Sequence, residues 1–318
     1  SKSRGLGDVY KRQSLTNFSS KKLQKMLSQH SGSQDSFENS MQALGFVDDT
    51  DLFIENFDGH LLIHSSVPNP FPSEEIRIIL NNFGLKSASY CQRGDSQNEI
   101  SSRIDETTPI ETFLAKENSL NFWIDLKSHY DPGIFLDQKI NRQRVKSFSK
   151  GKKVLNLFSY TCAFSVFAAS GEARLCTSVD LSQKYLDWGK RNYKANAINP
   201  DQHEFYAWDT REFLQYSIKK NRKFDLIICD PPTFSKSKRG YFKVKKDLIP
   251  LLKLCLDCLD PSGKILVCTN HREWNKKSFH KEIDIFCSKN KLTEKYIPYL
   301  PDGFSKNHPL KSAWIFAD

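Results

Sequence analysis

Three aspartates stand where short apolar runs stop. Asp180 follows Leu175–Val179, Asp209 follows Glu204–Trp208, and Asp230 follows Leu226–Cys229. The last opens the tetrad Asp230-Pro231-Pro232-Thr233, with Phe234 next. Two successive prolines remove two backbone donors and stiffen the chain. Freed carbonyls and the Asp230 carboxylate then suit a planar amine or heterocycle held close to an activated methyl group, and Phe234 suits stacking on a base. Asp180 fits the acidic strand-end residue that accepts from both ribose hydroxyls of a nucleoside cofactor. It also fits a helix N-cap before Ser182; its place in the series favours the ribose. Asp209 suits an adenine amino group and a helix cap equally.

One further turn belongs to this series. Ser159-Tyr160-Thr161-Cys162-Ala163 follows an apolar run and precedes a helix. Dinucleotide enzymes place G-x-G-x-x-G there, and this turn has no glycine. That argues against a pyrophosphate cradle, hence against NAD and FAD. It leaves a ligand without phosphate, such as S-adenosylmethionine, or an ordinary loop.

These residues need elements to position them. Short apolar runs at Val154–Phe158, Leu175–Asp180, Glu204–Trp208, Leu226–Asp230 and Lys264–Thr269 read as strands, with helices between. Such alternation predicts a mostly parallel α/β sheet covered on both faces. Lys295–Leu300 and Ala313–Phe316 predict a C-terminal antiparallel hairpin at its edge. In open α/β sheets, ligands bind beyond the carboxyl ends of the strands, where all four motifs fall.

Upstream, Leu52–Phe57 and His60–Ser65 flank Asp58-Gly59, a hairpin signal. Pro68, Pro70 and Pro72 predict a loop. Ser73 can cap a helix with Glu74 and Glu75 in its first turn, Ile76, Ile79, Leu80 and Phe83 on one face, and Gly84 at its end. Two more strands are expected near Thr112–Lys116 and Leu120–Leu126. The expected domains are therefore a small α+β module over 51–127 and the larger α/β domain over 128–318. Residues 14–50 are Ser-, Gln- and Lys-rich and read as a weakly ordered extension, with Leu23, Met26 and Leu27 on one face of a short helix.

The 318 residues carry a net charge of +10. Ser1–Gln13 resembles a translated cloning or sequencing remnant and is expected to be a non-native lead. Without its Lys2, Arg4, Lys11, Arg12 and Asp8 the chain stands near +7. A moderately basic enzyme suits an RNA partner, and equally a lysine-rich surface. No run of about 18 apolar residues exists, so no membrane partner or transmembrane helix is expected. The polar, basic start predicts no secretory leader. Eight cysteines, scattered through apolar stretches, read as reduced thiols of a cytoplasmic protein.

Taken in order, the motifs resemble a known family. They are Gly133-Ile134-Phe135-Leu136-Asp137-Gln138, Asn141-Arg142, Val154-Leu155-Asn156-Leu157-Phe158-Ser159-Tyr160-Thr161, Ser178-Val179-Asp180-Leu181-Ser182 and Asp230-Pro231-Pro232-Thr233-Phe234-Ser235-Lys236-Ser237-Lys238-Arg239. The family is the class I methyltransferases that modify bases of 23S ribosomal RNA, including guanine-N7 and cytosine-C5 branches. The likeness runs from about Glu117 to the end, and the small module resembles the family's middle domain. It implies a Rossmann-like sheet of seven strands, S-adenosylmethionine as cofactor and RNA as substrate. By position it places Ser159, Tyr160 and Thr161 by the cofactor, Asp180 on the ribose and Asp209 on the adenine. Asp230, Pro231 and Pro232 face the methyl group and substrate. Asp137 and Gln138 fall on the substrate side. The family usually reads Tyr-Thr-Gly-Gly at the first loop. Cys162-Ala163 departs from this, and the Cys162 side chain is expected to narrow or reshape the methionine pocket.

Cytosine C5 is a poor nucleophile, and its methylation proceeds through a covalent thiol adduct. The resemblance puts that thiol at Asn270, whereas Cys268 and Cys229 lie inside strands. Asn270-x-Arg272, with Thr233-Phe234-Ser235, looks more like the guanine-N7 branch. There an existing lone pair needs only alignment, and Asn270 or Arg272 can read the O6 and N7 edge. Both can equally cap the loop or bind phosphate. Lys236, Lys238 and Arg239, then Lys243, Lys245 and Lys246, suit a phosphate backbone beside the site, or plain solvated surface. Cys255-x-x-Cys258 lies in an apolar helical run and reads as core. His60 and His64 lie on a strand, about 13 Å apart, too far for one metal. Two rivals remain: a methyltransferase acting on a protein or small molecule, and a non-catalytic RNA-binding relative.

Overall fold

The computed structural model describes residues 21, 23–25, 27–28, 41–46, 53–65, 73–93, 98–103, 112–126, 132–238, 240–296, 300–301, 303–304 and 308–317. The chain forms two compact units. One holds Ser1–Leu136 with Pro301–Lys306, the other Asp137–Leu300 with Asn307–Asp318. The division thus falls at 136/137 rather than the expected 127/128, and a short C-terminal stretch joins the first unit. Among the described residues no helix is long and apolar enough to cross a membrane.

The first unit has a five-stranded sheet, ordered β1 (Met41–Phe46), β2 (Phe53–Phe57), β3 (His60–Ser65), β4 (Ser87–Arg93) and β5 (Asn98–Arg103). Only β3 and β4 pair in parallel, because α1 (Ser73–Asn82) crosses between them. Asp58 and Gly59 both have positive φ and close β2 onto β3, as a type I′ turn requires. Ile76, Ile79 and Leu80 of α1 are buried against Ile54, Leu61 and Ile63. Leu23 and Leu27 belong to the same cluster, and β1 falls at Met41–Phe46. Leu23 and Leu27 of the segment expected to be a weakly ordered extension therefore contribute to this core. Met26, the proline loop and the 1–13 lead lie outside the described residues. β6 (Phe113–Glu117) and β7 (Leu120–Ile124) form a separate hairpin. The sequence patterns had not marked β1, β4 or β5. Sheet strands with mixed polar sequence, such as Asn98–Arg103, lack the alternation that marks a half-buried strand.

The second unit is a seven-stranded sheet ordered β10-β9-β8-β11-β14-β16-β15. Its strands are β8 (Lys153–Leu157), β9 (Leu175–Asp180), β10 (Glu204–Ala207), β11 (Phe224–Cys229), β14 (Leu259–Thr269), β15 (Thr293–Tyr296) and β16 (Lys311–Phe316). β8 through β11 and the β11–β14 pair are parallel, and β16 runs antiparallel to β14 and β15. This is the Rossmann-like α/β arrangement with the C-terminal antiparallel hairpin that the patterns predict. The covering helices are α2 (Lys139–Phe148), α3 (Ala163–Ser170), α4 (Gln183–Ala195), α5 (Thr210–Lys219), α6 (Val244–Asp257) and α7 (Lys276–Asn290). Leu226–Cys229 and Val154–Leu157 are fully buried, as strands covered on both faces must be. A small hairpin, β12 (Phe234–Ser237) with β13 (Gly240–Lys243), leaves the sheet after β11.

Candidate active site

Strands β9, β8, β11 and β14 are neighbours, so the loops at their carboxyl ends lie side by side. The order reverses at β8, where β9 continues one way and β11 the other, which opens a crevice for a ligand.

The loop after β8 is unusually constrained. Phe158, Tyr160 and Cys162 all have positive φ, a conformation that costs a non-glycine residue energy and needs support from its surroundings. That support is visible. Ser159 N donates to Val179 O at 3.0 Å, and Tyr160 N donates to Asp180 Oδ2 at 2.9 Å. Asn192 Nδ2 donates to Thr161 O at 3.0 Å. Below, Asn156, Ser165 and Ser178 form a buried hydrogen-bonded chain. The Tyr160 ring packs on Tyr185 of α4 with centroids 4.6 Å apart.

Asp180 stands at the end of β9. Its second oxygen accepts from Ser182 N at 2.9 Å. Ser182, not Asp180, is the N-cap of α4. Burial raises the Asp180 carboxyl, while backbone donors from Ser182 and Tyr160 oppose the rise. Each oxygen retains a lone pair for a hydroxyl donor. Asp209 is the N-cap of α5 and accepts from Arg211 N, Nε and Nη2 at 2.9, 3.2 and 3.1 Å. Burial alone would raise its carboxyl, but the Arg211 bonds hold it below the ordinary value. The capping alternative is thus realised at Asp209, and Arg211 reaches on to Ser237 Oγ of β12 at 3.5 Å.

Asp230 leads out of β11. Gln138 Nε2 donates to its Oδ2 at 3.0 Å, and Asn141 Nδ2 donates to Gln138 Oε1 at 2.7 Å. Burial pushes the Asp230 carboxyl up to about 6, against the Gln138 hydrogen bond and the charge of Arg142. Arg142 is itself buried, with its guanidinium about equidistant from the Phe164 and Phe167 rings at 6.0 and 5.9 Å. Gln138 is only 3% exposed, with its amide engaged by Asp230. Asp137 is half-buried and faces His308 Nδ1 at 3.9 Å.

The loop after β14 joins the same place. Thr233 Oγ1 donates to Asn270 Oδ1 at 3.4 Å, and both residues are exposed, as is Arg272. Lys311, 4% exposed and paired with Thr269 in the β14–β16 register, donates through Nζ to the carbonyls of His271 and Pro309. Burial, with Lys276 adding to it, pushes its amine down to about 8. The sequence reading missed Lys311. Its one signal is a lysine opening a largely apolar strand, β16, that is paired on both sides. Pro231 is buried, while Pro232, Phe234, Lys236 and Lys238 are exposed; Arg239 lies outside the described residues.

Cys162, Cys176, Cys229, Cys255, Cys258, Cys268 and Cys287 are all buried. Cys268 lies in β14 with Sγ near Gln138 Oε1 and Asn141 Nδ2, and burial raises its thiol well above the usual range. Cys229 is enclosed in β11, and Cys255 and Cys258 belong to the main core, as their apolar setting predicts. His60 and His64 lie on β3 with separate partners, Ser87 and Glu55. Cys162 takes a conformation that favours glycine, and burial raises its thiol to about 12. Its side chain packs against Gly189 of α4, where an added Cβ would come 2.4 Å from Sγ. The bulk expected to narrow the pocket is therefore taken up beside α4.

A family model described as S-adenosylmethionine-dependent methyltransferase matches residues 88–285, more than half of the chain. Ribosomal RNA large subunit methyltransferase K of Neisseria meningitidis is 38% identical over 166 residues, covering 52% of this chain and 47% of its own. Ribosomal RNA large subunit methyltransferase K/L of a Shewanella strain is 37% identical over 228 residues, covering 70% of this chain and 30% of its own. The chain thus spans less than half the length of these curated relatives. Among solved structures, SMU.776, assigned as a methyltransferase and determined with SAH bound, is 26% identical. It superposes with a TM-score of 0.78, covering 96% of this chain and 81% of that one.

Proposed function

Because the chain belongs to the S-adenosylmethionine-dependent methyltransferase family, we propose that it methylates a base of ribosomal RNA, at a ring nitrogen rather than at cytosine C5. The observation that carries this reading is the meeting of Thr233 and Asn270 beside Asp230, with both nearby thiols enclosed in strands. The residues present suit the cofactor. Asp180 offers acceptors to ribose hydroxyls, and a strained, well-braced loop lies beside it. Ser159, Tyr160, Thr161 and Asp180 would hold the cofactor, with Asp209 at the adenine end through its remaining acceptor capacity. When bound, S-adenosylmethionine supplies the activated methyl group.

The chain's own residues do the rest. Pro231 and Pro232 stiffen the turn, and Asp230, fixed by Gln138, presents a carboxylate to the acceptor base. Asn270 and Arg272, exposed on the loop after β14, would read the base edge. A ring nitrogen with a free lone pair requires alignment and no covalent help, and positioning alone supplies on the order of 7–11 kcal/mol in favourable cases. A cytosine-C5 route needs an accessible thiolate, and Cys268 is buried with a raised pKa. The two relatives named as ribosomal RNA methyltransferases support RNA over a protein or small molecule. An RNA substrate of this kind would place the activity in the cytoplasm.

The test is transfer from labelled cofactor to undermodified ribosomal RNA, followed by digestion and nucleoside mass spectrometry. Label in a ring-nitrogen-methylated purine is the expected result. Label in 5-methylcytidine would overturn the nitrogen assignment, and label confined to protein would overturn the RNA one.

A further inference from the structure

The hairpin that follows Thr233 has two unlike faces. Its register pairs Phe234 with Lys243, Ser235 with Phe242, Lys236 with Tyr241, and Ser237 with Gly240. Residues directly opposite in an antiparallel pair share a face. One face therefore carries Phe234, Lys236, Tyr241 and Lys243, and the other carries Ser235, Ser237 and Phe242. Burial follows this division. The first four are all exposed, whereas Phe242 is 3% exposed and packs 5.6 Å from the Phe158 ring. Val244 N donates to Thr233 O at 3.2 Å and closes the base of the hairpin. Arg211 reaches Ser237 Oγ from α5. The inner face is anchored, so the outer face is held in place.

That outer face is unusual for solvent-exposed surface. Phe234 is 51% and Tyr241 58% exposed, their ring centroids 5.3 Å apart and their planes inclined at 31°. Lys236 Nζ lies 5.8 Å from the Tyr241 centroid. Lys238, Lys245 and Lys246 are exposed nearby. Adjacent exposed aromatic rings mark an interaction site more often than idle surface. Rings flanked by ammonium groups match one chemistry closely: base faces stack on the rings while the phosphates meet the lysines. A duplex does not offer this, because its bases are already stacked on one another.

We propose that the outer face of β12 and β13 is a stacking platform for an unpaired nucleotide adjoining the target base, so that the acceptor RNA is bound as a single strand. The proposal rests on the RNA reading above. Phe234 lies four residues after Asp230, within about 15 Å along the chain even at full extension, which puts the platform next to the acceptor position.

The experiment is fluorescence anisotropy of the full chain with a labelled unstructured RNA oligonucleotide, alone and annealed to its complement. The single strand is expected to bind at least tenfold more tightly than the duplex. Phe234→Ala and Tyr241→Ala should each weaken single-strand binding by about 5- to 150-fold, the range for losing one stacked base. Tyr241→Phe should retain it, since the ring rather than the hydroxyl acts. The ring variants should leave the salt dependence unchanged, while Lys236→Gln with Lys243→Gln should flatten it. Calorimetry with S-adenosylmethionine should give the parent affinity throughout, which reports an intact cofactor site. Equal binding of single strand and duplex, or a Phe234→Ala, Tyr241→Ala variant within twofold of the parent, overturns the platform. So does self-association that the same substitutions relieve. Single-strand preference with no methylated nucleoside in the mass-spectrometric assay would leave the platform standing and remove the methylation reading instead.

Discussion

Gln138 donates its side-chain amide to the carboxylate of Asp230 at 3.0 Å, across 92 positions of sequence. The bond favours the ionised acid. Arg142 also favours it, and Cys229 and Cys268 are the other titratable neighbours. If Asp230 acts as a carboxylate, kcat/KM should fall as pH drops through about 6. Gln138→Leu removes the donor, so the acid raises its pKa and the falling limb moves to higher pH. A pH–rate profile of the variant with its limb unmoved would remove Gln138 from this role.

Asp230→Asn separates activity from stability. The carboxyl is raised from 3.8 to about 6 in the folded chain. Well below pH 3.8 it is protonated in both states and carries no penalty. Between pH 4 and 6 the unfolded chain releases its proton first, so folding stability is lost as pH rises. Above 6 the full penalty holds. Asn removes it, and at pH 7 the variant should be more stable by about 1–2 kcal/mol, allowing for the partial exposure of Asp230. Methyl transfer should fall at least a hundredfold. Urea titrations at about pH 3 and pH 7 check the first expectation, since the gain should nearly vanish at the lower pH.

Cys268→Ala tests the absence of a covalent route. The thiol is enclosed, so turnover should remain within a few-fold of the parent while stability drops by about 1 kcal/mol for the small cavity. A rate loss beyond a thousandfold, or a trapped adduct with 5-fluorocytosine in the RNA, would restore the thiol mechanism.

How much of this was legible beforehand follows from the kind of signal each part leaves. The parallel strands announced themselves because burial on both faces demands uninterrupted apolar runs, as in Leu226-Ile227-Ile228-Cys229. Asp180 and Asp230 could be placed because strand ends are where such sheets bind. Gln138 could be found but not understood: its bond to Asp230 depends on how α2 packs beside β11 and β14. Tyr241 and Lys311 left almost no trace. A tyrosine in a lysine-rich loop and a lysine at the start of the last strand read as surface until pairing register fixes which way each side chain faces.

Lys311→Met should loosen the loop that carries Asn270 and Arg272. The carbonyls of His271 and Pro309 would lose their shared donor, at a cost of about 1–3 kcal/mol in stability. The KM for RNA should rise while cofactor affinity, set by loops across the sheet, stays constant. Equal loss of both affinities would mean that the substitution acts on the whole fold.

The fit of Cys162 against Gly189 also constrains the route by which these two positions can have diverged. A methyl group at 189 collides with the sulfur, whereas a glycine at 162 leaves only a gap. From the present pair, 162 can shrink first and 189 can then grow, but the reverse order passes through a clashing intermediate. Replacement is therefore order-dependent: a thiol at 162 is accommodated only while 189 stays small.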